Sequence, residues 1–238
     1  MPPTVEAPLF FLDYDGTLAP IVEDPDQAMP HPAIPPILEV LDNAYPVWIV
    51  TGRDIAQLSS FIDRPLRAIG LHGAQSGVIG REVEYLVSDE AADAIASLRA
   101  SLPSLDGIRV EDKSQAFAVH YRHASDEEEA RERLRAWTDT IPEMLEAIWG
   151  KKVVELRPKG WTKGTAVLRI SEEYPDRTSV YIGDDVTDED AFDALHELDR
   201  EAVTVKVGDE PTGAAYRLAG PDEVVAYLRT YVDVGEEN

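Results

Sequence analysis

Three short apolar runs set what this chain can fold into. Leu9 to Leu12, Pro46 to Val50 and Ser179 to Gly183 are continuous and rich in aromatic and β-branched residues, with no polar alternation. Strands of that kind are buried on both faces, which points to a parallel sheet covered by helices. Further strands are expected at Ala68 to Gly73 and Ala202 to Gly208, and a hairpin turned at Gly80. Helix patterns lie between them: about Pro36 to Ala44, a short one through Leu58, Lys163 to Glu173, Asp188 to Leu198 and Asp222 to Val232. The proline-rich stretch Pro25 to Pro36 reads as a rigid surface loop, because proline fits neither a helix interior nor a central strand. The last residues, Gly235 to Asn238, read as a frayed tail.

The middle of the chain has a different texture. Asp89 to Leu102 reads as a helix capped by Ser88 or Asp89. Ile108 to Lys113 and Ala116 to Arg122 alternate like half-exposed antiparallel strands, and Lys152 to Pro158 reads as another strand. Ser125 to Trp137 starts with acids and continues with arginines, as a solvated helix face does. The expected order is β-α-β-α-β, an inserted α/β domain, then α-β-α-β-α. That alternation implies an α/β fold with a doubly wound parallel sheet and right-handed crossovers. Residues 1–86 and 159–238 would form the core, and 87–158 the insert.

Charge narrows the partners. Asp and Glu number 46 against 22 Lys and Arg, for a net charge of −24. Nucleic acid and membrane surfaces are therefore not expected as partners, since both require a positive footprint. Six lysines account for the lysine share of those cations. High acidity with few lysines reads in two ways: adaptation to a salty cytoplasm, or a generally acidic soluble surface. There is no cysteine, which excludes disulfides and thiolate metal sites and suits a reducing cytoplasm. The N-terminal stretch lacks a basic region, and its apolar run is too short for a signal peptide.

In open parallel sheets, ligands bind outside the carboxyl ends of the strands. Asp13 and Asp15 follow the first strand, Thr51, Gly52 and Arg53 the second, and Asp184, Asp185 and Asp188 follow Ser179 to Gly183. Lys163 opens the helix beyond the insert. Asp13 and Asp15, two residues apart in extended backbone, point to one side. With Asp184 they gather three carboxylates whose repulsion calls for a shifted pKa or a bound cation, and oxygen ligands suit Mg²⁺. A magnesium ion beside a carboxylate favours phosphoryl chemistry. Lys163 adds a fixed positive charge. Thr51 can donate its hydroxyl to a phosphoryl oxygen, helped by backbone N–H groups at Gly52 and Arg53.

Asp13 to Thr17, Thr51 to Arg53, Lys163-Gly164 and Gly183 to Asp190 resemble, in order and spacing, the four motifs of the haloacid dehalogenase superfamily. More narrowly, Gly70 to Ala74, Val110 to Lys113, His120 to Arg122, Val154 to Gly164 and Tyr181 to Phe192 are similar to the trehalose-6-phosphate phosphatase family, over about residues 9–228. The resemblance implies that the insert is a cap carrying sugar specificity. It implies Asp13 as nucleophile and metal ligand, and Asp15 as acid/base and backbone ligand. Asp184 would be a metal ligand, with Asp185 and Asp188 supporting the ligands from outside. Thr51 and Lys163 would hold the phosphoryl group. Gly52, Arg53, His72, Lys113, His120, Arg122 and Glu155 are the expected substrate-binding residues. One departure is Gln75, where many relatives carry Glu; its amide can still bond a sugar hydroxyl. The expected partner is a small sugar phosphate and the expected state a cytoplasmic monomer. Sucrose phosphate, another glycosyl phosphate and a non-catalytic sensor remain alternatives.

Overall fold

The computed structural model describes residues 1–22, 24–112 and 115–232. In chain order the strands are β1 (Pro8–Leu12), β2 (Val47–Val50), β3 (Arg67–Gly70), β4 (Gln75–Val78), β5 (Val83–Tyr85), β6 (Arg109–Asp112), β7 (Phe117–His120), β8 (Leu145–Gly150), β9 (Val153–Pro158), β10 (Thr178–Gly183), β11 (Ala202–Val207) and β12 (Tyr216–Leu218). The helices are α1 (Ile34–Ala44), α2 (Ile55–Leu58), α3 (Asp89–Ala100), α4 (Glu127–Thr138), α5 (Lys163–Glu173), α6 (Val186–His196) and α7 (Pro221–Arg229). They fall into two compact units, Met1–Glu84 with Thr162–Asn238, and Tyr85–Trp161.

The first unit holds an eight-stranded sheet in the order β12-β11-β10-β1-β2-β3-β4-β5. Every pairing from β12 to β3 is parallel, and β4 pairs antiparallel with β3. Strand order reverses at β1: β2 and β3 lie to one side, β10 and β11 to the other. The apolar runs are continuous because both faces are covered. On β1, Phe10 and Leu12 pack with Ile37, Leu41 and Leu228 of α1 and α7, while Leu9 and Phe11 pack with Val167, Ile170 and Phe192 of α5 and α6. Fully burying side chains of this size is worth about 1.5–3 kcal/mol each, so β1 is anchored from both sides and its carboxyl end is a rigid place to build a site.

The second unit is a four-stranded antiparallel sheet, β6-β7-β9-β8, with α3 and α4 packed on one face. Phe117, Val119, Val154 and Leu156 point to those helices. The alternate positions, including His120 and Glu155, take the other face.

Several boundaries differ from the sequence expectation. Helix α1 begins at Ile34 and takes in Pro35 and Pro36, because the first-turn N–H groups have no helical partner to lose. Leu71–Gly73 is a tight turn and not the end of a strand, with Leu71 at φ 48° and His72 at φ 54°. Helix α6 starts two residues early, at Val186, since Asp185 caps it. Strands β8 and β12 were not expected. The first mixes acid, aromatic and apolar residues without alternation, and the second has three residues, too few to show a period.

Candidate active site

The carboxyl ends of β1 and β10 meet where strand order reverses, and Asp13 is the first residue past β1. Its N–H donates to the Ile182 carbonyl at 2.9 Å, continuing the ladder, and its side chain is 4% exposed. Lys163 is the first residue of α5, whose start is fixed by a capping box between Thr162 and Thr165. A Cβ at Gly164 would collide with the Asp190 carbonyl, so glycine there lets α5 lie against α6. That approach brings the Lys163 ammonium to 2.7 Å from both Asp13 Oδ1 and Asp188 Oδ1.

Asp188 has its acceptor capacity engaged. Oδ1 also accepts from the Tyr181 hydroxyl at 2.7 Å, and Oδ2 accepts from the Asp185 N–H at 2.8 Å as the third residue of α6 in a capping box. Asp185 spends its side chain on the Val186 N–H and the Thr187 hydroxyl. Neither acid points an unengaged oxygen outward, which suits them to supporting roles.

Asp184 is different. Its Oδ1 is buried with no hydrogen-bond partner. Ligand atoms of Asp13, Asp184 and Asp188 lie within 4.8 Å of one another. Burial, then the neighbouring Asp188 charge, pushes Asp184 up to about 6, although a hydrogen bond with the Asp13 carboxyl pulls the other way. Burial is also the largest influence on Asp13, and raises it well above the ordinary value against the pull of Lys163. For Lys163, burial alone would lower the pKa, but the charges of Asp13 and Asp188 outweigh it and hold it above the ordinary lysine value. Crowded carboxyls pushed toward their protonated forms are a natural place for a divalent cation to stand in for protons. An orphaned carboxylate oxygen beside a second carboxylate, with hard oxygen donors only, fits Mg²⁺. Gly16, at φ 75°, runs directly beneath this group, and a Cβ there would fall inside the Asp184 carboxylate.

The second strand end forms the opposite wall. Thr51 is buried, and its Oγ1 accepts the Arg53 N–H at 3.1 Å. The tight turn at Leu71 and His72 is stitched to it through His72 N–H to Thr51 O and Leu71 N–H to Arg53 O. The imidazole of His72 lies against Gly52, where a Cβ would meet it at 2.5 Å. Arg53 does not stand free for substrate: its guanidinium donates to both Asp15 oxygens at 2.6 Å and lies over the rings of Tyr14 and Phe61. Gln75 is also committed, accepting from the Ile55 N–H and donating to Asp54, so it fixes the start of α2 and is not presented to a sugar.

In the second unit, His120 pairs with Glu111 across β6 and β7 at 2.8 Å. Glu155 is half-buried in β9 between Ala118 and Ile148 of the neighbouring strands. On the same strand and beside it, Arg157 pairs with Glu146 and Lys152 with Glu127. Arg122 is exposed, two residues past the end of β7. Lys113 lies outside the described residues. Sequence reasoning missed two contributors. Tyr181 gave no signal, being one aromatic in an apolar strand. Lys206, a single charge in the apolar run of β11, was a signal: a charge there needs a partner.

With this geometry in place, the comparisons decide the family. Residues 11–222 match the trehalose-phosphatase family. The chain belongs to that family. The trehalose-phosphate phosphatase of Mycobacterium marinum is 34% identical over 94% of this chain and 61% of its own length, so the chain spans about three fifths of that relative. The trehalose-6-phosphate phosphatase of Escherichia coli is 34% identical over 92% of this chain and 84% of its own. Among solved structures, Aspergillus fumigatus trehalose-6-phosphate phosphatase superposes with a TM-score of 0.72 at 29% identity, covering 94% of this chain and 92% of that one. A haloacid dehalogenase-like hydrolase from B. subtilis shares the fold, with a TM-score of 0.63 at 14% identity over 94% of this chain and 99% of that one. The core is therefore a haloacid dehalogenase-like doubly wound sheet. Among the described residues no helix is long and apolar enough to cross a membrane.

Proposed function

We propose that this chain is a magnesium-dependent phosphatase that releases phosphate from trehalose 6-phosphate through an aspartyl-phosphate. The observation that carries the reading is Asp13: a buried carboxylate at the reversal of strand order, held by Lys163 and clustered with Asp184, their ligand atoms within 4.8 Å. The relatives' names supply the substrate. Asp13, Asp184 and the Asp15 carbonyl would hold Mg²⁺, which when bound neutralises phosphate charge.

In the first half-reaction an Asp13 oxygen attacks phosphorus, and the sugar oxygen leaves with a proton from Asp15. In the second, water attacks the aspartyl-phosphate. Asp15 takes its proton, phosphate leaves and the Asp13 carboxylate returns. Thr51 and Lys163 hold the phosphoryl oxygens, and Asp188 keeps the Lys163 ammonium aimed at Asp13. Asp15 enters the first half-reaction protonated and turned from Arg53 to the leaving oxygen, and the pair with Arg53 suits the carboxylate form between the two proton transfers. Lys113, His120, Arg122 and Glu155 of the inserted domain, with Gly52 and His72, would take the sugar. The absence of cysteine suits a cytoplasmic enzyme, and we take it to act as a monomer.

The test is phosphate release from trehalose 6-phosphate, sucrose 6-phosphate, a glycosyl-glycerate phosphate and p-nitrophenyl phosphate, with and without EDTA. Trehalose 6-phosphate is expected to be fastest, EDTA to abolish release, and Asp13→Asn to be inactive with an unchanged circular dichroism spectrum. Near-normal turnover by Asp13→Asn sinks the nucleophile. Binding of sugar phosphates without release makes the chain a sensor.

A further inference from the structure

Lys206 is a lysine where the fold asks for an apolar residue. It lies in β11, directly beside Gly183 of β10 in the parallel ladder, and is 1% exposed. Its neighbours Val203, Val205 and Val207 point into the core on the side of α1 and α7, which leaves Thr204 and Lys206 on the side of α5 and α6. A buried ammonium costs several kcal/mol unless it is paired. The pairing here converges on one turn. The Lys206 Nζ donates to the backbone carbonyl of Asp184, with Glu189 Oε1 at 3.9 Å and Glu210 Oε2 at 3.8 Å. Glu189 is in turn tied to the Gly213 N–H at 2.8 Å, and its Oε1 has no hydrogen bond of its own.

The turn between β10 and α6 carries the carboxylate with the orphaned oxygen. A single peptide there is gripped at both its polar atoms: the Asp184 carbonyl by Lys206, and the Asp185 N–H by Asp188. With both held, the peptide linking Asp184 to Asp185 has little freedom to rotate, and the Asp184 side chain is aimed at Asp13. We infer that Lys206 is a positioning residue for the cation site, holding the Asp184 backbone so that its carboxylate stands ready beside Asp13. Lys206 touches neither substrate nor cation. This inference rests on the proposed role of Asp184 as a cation ligand.

The test is direct Mn²⁺ binding without substrate, followed by electron paramagnetic resonance or calorimetry, alongside metal-free melting temperatures. Four variants are compared: Lys206→Met, Lys206→Met/Glu189→Gln, Glu189→Gln and Asp184→Asn. The double variant matters because Lys206→Met alone leaves Glu189 without its cation, whereas the glutamine keeps the Gly213 contact and carries no charge. Supporting groups of this kind are worth roughly 10–100-fold in metal affinity. Both Lys206 variants are expected to bind Mn²⁺ at least about tenfold more weakly, and the double variant to melt close to the parent. Kinetically, the Mg²⁺ concentration for half-maximal turnover should rise while the Michaelis constant at saturating Mg²⁺ stays put. A double variant that melts like the parent and binds Mn²⁺ as tightly overturns the inference, as does a lower melting temperature with parental Mn²⁺ affinity. Parental binding by Asp184→Asn overturns the cation-ligand reading itself.

Discussion

Replacing Lys163 by methionine isolates what the buried ammonium does. Methionine keeps the apolar stem and removes the charge. Lys163 is 2% exposed and sits 2.7 Å from two carboxylates, those of Asp13 and Asp188, themselves almost fully buried. Removing one partner of a buried ion pair costs about 3–5 kcal/mol, because the other is left uncompensated. Here two acids are left, and their way out is to bind protons. Burial already raises Asp13 above the ordinary carboxylate range, with Lys163 as the chief opposing influence, so losing Lys163 raises it further. A carboxyl whose folded pKa is raised contributes stability that is present below its unfolded pKa, about 4. That contribution is lost as pH rises through the folded value. The variant should therefore be hurt most at high pH. Urea unfolding in EDTA, so that no cation substitutes for the ammonium, should show a loss of about 3–5 kcal/mol at pH 8. At pH 5.5 the loss should be smaller by at least about 1 kcal/mol, the worth of less than one pKa unit. Typical stabilities of about 5–15 kcal/mol leave the variant folded. Equal losses at the two pH values would refute the reasoning, because they would show that Lys163 acts through packing and not through its charge.

Two further outcomes test the geometry. Gly16→Ala combines a left-handed backbone, costing about 1–2 kcal/mol for a residue with a Cβ, with a collision at Asp184. It should lower turnover at least about tenfold through the displaced ligand, and a variant with parental Mg²⁺ dependence would show that Asp184 tolerates the shift. Glu155→Ala should reduce kcat/KM for trehalose 6-phosphate far more than for p-nitrophenyl phosphate, and equal losses on both would remove Glu155 from sugar recognition.

The core of the site was legible because its acids and lysine stand at strand ends and helix starts, where a short sequence window already fixes position. Asp13 after an apolar run and Lys163 at a helix N-terminus need little tertiary information. Asp188 accepts from Lys163, Tyr181 and the Asp185 N–H, of which only the helix-start contact can be read from a short window. What was not legible depends on partners far apart in sequence. Arg53 reads as a substrate group until Asp15, 38 residues away, is seen to hold it. Gln75 reads as a sugar contact until Ile55 and Asp54 are found to occupy it. The turn at Leu71 and His72 follows an apolar strand without glycine or proline at its first two positions, so local propensity continues the strand where the hydrogen bonds to Thr51 and Arg53 bend it away.

The concentration of acid at the sheet's switch point has a consequence for binding. Lys206 is matched by Glu189, so the group facing the site reduces to the carboxylates of Asp13, Asp184 and Asp188 and the ammonium of Lys163. With all of them ionised, that group is formally two charges negative. Burial and repulsion among the carboxylates push Asp13 and Asp184 above the ordinary carboxylate value, which favours their protonated forms. A phosphate monoester, itself an anion, would be repelled by such a group. A divalent cation held by Asp13 and Asp184 would cancel the formal excess and favour the ionised form of both carboxyls. On the proposed function, the same ion would serve both the entry of the substrate and the ionisation of Asp13. In a chain of net charge −24, where the surface field already disfavours anions, the proposed function makes the cation a condition for binding as well as for hydrolysis.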